Sequence, residues 1–154
     1  MMSAPSSARL FVKAGKFMPP EGGSPGDPHE WLRRARSNLA RSSQGQVTPD
    51  VLFEDACFDA QQAVEKALKA LLVSRGVQVP RTHAIGELIT MLADLGFDIP
   101  ADVQEASALT DYAVAARYPG PSEPVLIEDY ERAVAIAMAV VSWASGIITA
   151  PFEP

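Results

Sequence analysis

Tyr112, Arg117 and Tyr118 are the side chains best suited, by type and spacing, to hold a phosphate-bearing ligand. A guanidinium can give a phosphate two parallel hydrogen bonds, and a neighbouring aromatic ring offers a face on which a base stacks. The competing reading is structural, with Arg117 paired to an acidic neighbour at a helix end and both tyrosines filling the core. A second pair, Arg81 and His83, flanks Thr82, the expected cap of a helix. Backbone N–H groups at a helix start attract anions, so a phosphate could sit there with both side chains assisting. The plainer alternative is a first-turn histidine facing solvent. The other histidine, His29, lies in a capping segment. Asp111 and the pair Glu128/Asp129 have no histidine or cysteine at ligand spacing, so no metal is expected. No glycine-rich phosphate loop and no serine, histidine and acid order is present, and no cofactor is expected.

These residues must be positioned by helices, because every convincing periodicity is near 3.6 and no segment alternates as a strand would. Residues 1–26, rich in Ser, Pro and Gly and culminating in MPPEGGSPGD, read as a flexible leader, and residues 27–150 as one helical domain. Asp27, Pro28 and Glu30 supply an N-cap acceptor, a proline at the first helical position and a carboxylate at N3. The spacing predicts a first helix to about Ser42 that buries Trp31, Ala35, Leu39 and Leu32. Thr48 and Pro49 repeat the signal for a second helix, ending near Ser74 or Arg75 before Gly76. Its apolar side carries Phe53, Cys57, Ala60, Gln61, Val64, Leu68, Leu71 and Leu72, and Glu65 and Lys69 fall on the wet side, one turn apart.

Thr82 caps the third predicted helix, which carries Ile85, Leu88, Ile89, Leu92 and Leu95 and stops at Gly96. Pro100 opens the fourth, with a stripe of Val103, Ala106, Leu109, Ala113 and Ala116, and RYPGPSEP ends it as a rigid loop. The fifth runs from about Ile127 to Ile148. Ala133 to Ala150 passes eighteen residues without a charge, but it is alanine-rich and lacks a dense Leu/Ile block. It is assigned to a helix buried at the centre or in a subunit interface, not to a membrane. The fold class is all-α, an up-and-down bundle of about five helices.

A chain of 154 residues with 47% apolar and 21% charged residues fits one globular domain. The formal charge of −6 is uneven: residues 1–41 carry seven Lys/Arg against three Asp/Glu (+4), and residues 42–154 carry six against sixteen (−10). Overall acidity argues against nonspecific coating of nucleic acid, although Arg33, Arg34, Arg36 and Arg41 form a basic cluster. Intramolecular pairing is the plainer reading of that cluster. The lone Cys57, on an apolar helix face, and the lack of a charge-then-apolar leader point to the cytoplasm.

In order along residues 28–148, the blocks WLRRARSNL, CFDAQQAVEKALKALL, THAIGELI and LTDYAVAARYP, then an alanine-rich helix, resemble HEPN domains. The second and fourth blocks are the specific ones. The resemblance implies a helical bundle that forms homodimers, with a nucleotide- or RNA-binding cleft at the dimer interface and a minimal nucleotidyltransferase partner in a toxin–antitoxin-like pair. Many members resemble metal-independent ribonucleases in which an arginine is followed four to six residues later by a histidine. Here Arg117 is present, but residues 118–126 contain no histidine, which argues against enzymatic activity of that type. The variant with a Tyr-Pro pair after the arginine resembles nucleotide- or partner-binding members. An inert interaction module and a divergent ribonuclease using Arg117 are the alternatives, and Tyr118 is the nearest analogue of an adenylylated tyrosine.

Overall fold

The structure is a computed structural model that describes residues 26–112 and 124–150. Its helices are α1 (Pro28–Ser43), α2 (Phe53–Ser74), α3 (Ile85–Asp94), α4 (Ala101–Gln104), which tightens into a 3-10 turn over Glu105–Leu109, and α5 (Ile127–Ile148). No strand occurs among the described residues, as the uniform helical period requires.

Local chemistry sets most helix ends. Asp27 caps α1 by accepting from the His29 N–H at 2.9 Å, with Pro28 at the first position. At the end of α2, Gly76 (φ +77°) donates to the Val73 carbonyl and Val77 to that of Leu72. Gly96 (φ +98°) and Phe97 do the same to Ala93 and Leu92 after α3. Both are Schellman closures, whose left-handed residue a glycine adopts without a Cβ clash.

Two expected starts moved. Thr48 does not open α2; its hydroxyl accepts from the Asp50 N–H at 3.3 Å and its carbonyl from Val51 at 3.1 Å, a self-contained turn. The helix begins at Phe53 behind an extended Leu52. Likewise Thr82 accepts from the Ala84 N–H at 3.0 Å, and α3 starts only at Ile85, whose N–H donates 3.2 Å to Thr110 Oγ1 across the bundle. The fourth helix is shorter and tighter than its apolar stripe implied, although Val103, Ala106 and Leu109 are buried as read. Ala113, Ala116 and residues 117–123 of the loop lie outside the described residues, as does the leader up to residue 25.

The centre of the bundle is α2: fifteen of its 22 residues are buried, against α1, α3, α5 and the 3-10 turn. Its alanines at 56, 60, 63, 67 and 70 let neighbours approach closely, and Leu68, Leu71 and Leu72 fill the gaps. Helix α5, free of charged side chains from Ala133 on, is not at the centre of the chain's own bundle. It buries one stripe, Ala133, Ile136, Ala137, Val140, Val141 and Ala144, and leaves Met138 54% and Ile147 40% exposed. By length and composition it is the one described helix able to cross a membrane, and a third of its apolar window is buried in the bundle. Trp31 is half-buried at the edge of the core.

Candidate functional site

The side chains of α2 that face neither helix partners nor open water form a polar cluster around Glu65. Its carboxylate accepts from Lys69 Nζ at 2.8 Å and from Gln61 Nε2 at 3.1 Å, one turn to either side on the same helix. His83 Nδ1 lies 3.1 Å from both carboxylate oxygens. The Glu65 and Lys69 side chains are only 5% and 7% exposed, whereas that of His83 is 65% exposed. The pair expected on a wet face is therefore buried, and it also engages His83 from another segment. Burial pushes the Glu65 carboxyl up, but Lys69, His83 and Gln61 together outweigh it and hold the group below its ordinary value. A buried carboxylate thus stands ionised directly beneath a surface imidazole.

His83 reaches this position because the segment between Gly76 and α3 folds back along α2. Thr82 stiffens its last turn, and the Thr110 hydroxyl takes the first free N–H of α3. The expected phosphate seat at that helix start is therefore altered: one of its donors is used, Glu87 adds negative charge to the first turn, and His83 turns toward Glu65. Arg81 is exposed on the same segment, two residues before His83.

Tyr112 is half-buried against the core, its hydroxyl pushed up by burial and then by the negative surroundings of Cys57 and Asp129. It is coupled to the Cys57 level of α2, eight residues or roughly 12 Å along the axis from Glu65. Arg117 and Tyr118 lie outside the described residues.

The basic cluster of α1 is largely paired within the chain. Arg33 and Arg34 share Glu30 at 2.9 and 2.7 Å, and together they hold its carboxyl down to about 2. Arg41 approaches Asp59 at 3.4 Å, and Arg36 donates to Ser145 Oγ at 2.5 Å. Sequence reading missed a second network, in which buried Asn38 donates to Asp59 at 2.9 Å and accepts from Lys66 Nζ at 2.8 Å, locking α1 to α2. Burial, then the nearby Arg34, makes the Lys66 ammonium easier to deprotonate. Arg36, Leu39, Met138, Val141, Ser142, Ser145 and Gly146 line a shallow groove between α1 and α5. Among the described residues no three His, Cys, Asp or Glu side chains cluster as metal ligands would.

The HEPN domain family model matches residues 28–147. Among solved structures, the chain is similar to TT1696 from Thermus thermophilus at 35% identity and a TM-score of 0.64, over 77% of this chain and 95% of that one. It also shares its fold with an HEPN domain protein, tm0613, from Thermotoga maritima, at 20% identity and a TM-score of 0.51, over 80% of this chain and 95% of the other. No curated protein matches.

Proposed function

Because this chain belongs to the HEPN domain family, we propose that it binds the phosphate-bearing portion of a nucleotide or RNA, as a cytoplasmic homodimer working with a minimal nucleotidyltransferase in a toxin–antitoxin-like pair. The observation that carries the binding reading is the His83 imidazole, held at the surface by buried Glu65 with Arg81 on the same segment. Such an imidazole is pre-oriented, so little freedom is lost when a ligand meets it. The outer side of α5 supports the homodimer, since an 18-residue charge-free run with exposed Met138 and Ile147 is unusual on a chain of net charge −6.

The test is thermal shift of wild type, His83→Ala and Arg117→Ala with ATP, GTP and a short RNA, because a ligand of the folded state alone raises its Tm. A shift in wild type that falls in both variants supports one nucleotide site served by both residues. No shift at millimolar ligand rejects nucleotide binding.

A second reading, an inert interaction module, is favoured by the groove between α1 and α5. Arg36 stands at its edge with a neutral hydroxyl as its partner. Tight association with a co-encoded protein, without any nucleotide response, would establish that reading.

A further inference from the structure

Proton bookkeeping around Glu65 decides what His83 presents to the outside. The carboxylate receives N–H groups from Lys69 and Gln61, both of which donate to it. It is held below the ordinary carboxylate range, so at neutral pH it has no proton to offer. His83 Nδ1 lies 3.1 Å from each of its oxygens, and a contact of that length between a bare nitrogen and an anion would be repulsive. The proton must therefore sit on Nδ1. A neutral imidazole with Nδ1–H carries its lone pair on Nε2. Among the described residues no hydrogen bond engages Nε2, and the side chain is 65% exposed.

We infer that Glu65 and His83 form a surface proton-acceptor site, in which Nε2 of His83 receives a hydrogen bond from a hydroxyl or N–H group of the ligand and Glu65 is the positioning residue that fixes the tautomer. Lys69 and Gln61 hold Glu65 from the same helix, so the orientation is built into α2 and does not depend on the mobility of a lone side chain. The inference deepens the nucleotide reading and rests on it: the donor is then a ribose hydroxyl, and the site selects ribonucleotides over deoxyribonucleotides. A phosphate anion alone offers a neutral Nε2 nothing to accept, so His83 is assigned to the ribose and not to the phosphate.

Two measurements test this. Long-range proton–nitrogen correlation on 15N-labelled protein at pH 8.5, where an ordinary imidazole is neutral, reads the His83 tautomer directly. The expected result is a protonated Nδ1 and a bare Nε2, and the reverse overturns the inference. In Glu65→Gln the amide can donate to Nδ1, so the tautomer should move toward Nε2–H; an unchanged tautomer means Glu65 is only structural. His83→Ala, on an exposed side chain, keeps the test open if Glu65→Gln does not fold.

The second measurement is calorimetric binding of ATP, 2'-deoxyATP and 3'-deoxyATP. Wild type should lose roughly five- to tenfold in affinity for one of the deoxy forms, as for one solvent-accessible hydrogen bond, and His83→Ala should abolish the discrimination. Equal binding of all three, weakened together by His83→Ala, leaves the nucleotide reading standing and overturns the acceptor site. Binding of none rejects the nucleotide reading and the ribose assignment with it, and the tautomer result then stands on the spectrum alone.

Discussion

The Tyr130 hydroxyl donates 2.8 Å to the backbone carbonyl of Ser42, tying the first turn of α5 to the end of α1. Ser42 is itself buried and donates its hydroxyl to the Ala56 carbonyl at 2.7 Å, so three helices meet at one residue. Gly45 closes the corner at φ +62°, and a Cβ there would lie 3.0 Å from the Tyr130 hydroxyl.

Tyr130→Phe should cost about 1 kcal/mol, because the Ser42 carbonyl still receives the Gly45 N–H at 3.1 Å. Gly45→Ala should cost about 1–2 kcal/mol for a left-handed residue with a Cβ. The two are expected to be non-additive, since removing the hydroxyl clears the space a Cβ needs. Urea unfolding of the single and double variants checks the cycle.

Lys69→Met leaves the Glu65 carboxylate, in a site 5% exposed, without its ammonium partner and with only Gln61 and His83, and should cost roughly 3 kcal/mol in chemical denaturation. Replacing both, as Glu65→Leu with Lys69→Met, should recover most of that loss, because no buried charge then remains.

The Glu65 carboxyl is held below its ordinary value, so its folded pKa is lower than its unfolded one. The stability it contributes is fully present above the unfolded pKa, near ~4.3 for a glutamate, and is lost as pH falls through the folded value. Acid titration of stability should therefore be shallower in Glu65→Gln than in wild type below about pH 4.

Burial, with Asp129 and Glu54 nearby, pushes the Cys57 thiol up to about 12. Native protein should not react with a thiol reagent at pH 8, and labelling should proceed only at the rate of unfolding. Fast labelling of folded protein would show that the thiol is more accessible than its buried position implies.

If α5 forms the dimer face, Met138→Glu should convert a dimer to a monomer in sedimentation velocity with helicity unchanged. Met138 is 54% exposed, so the isolated fold should tolerate the charge. A variant that stays dimeric would place the interface elsewhere.

Helix identity was legible because it depends on local information: Asp27 and Pro28 start α1, Gly76 and Gly96 end α2 and α3, and leucines recur at helical spacing. Thr48 and Thr82 misled because a threonine hydroxyl satisfies a nearby N–H in a turn as readily as at a helix cap. Hydrophobicity alone left α5 either central or interfacial; within the chain it packs one face, while α2, carrying Glu65 and Lys69, is enclosed.

The sequence by itself determined an all-helical bundle, its family, the buried cysteine and the candidate status of Arg81 and His83, all of which follow from residue type and short-range spacing. Only the tertiary structure decided that Glu65 is buried and that His83 rests on it, because the two lie eighteen residues apart. Whether an ion pair is wet or enclosed depends on which helices cover it, and one-dimensional periodicity carries no information about that cover.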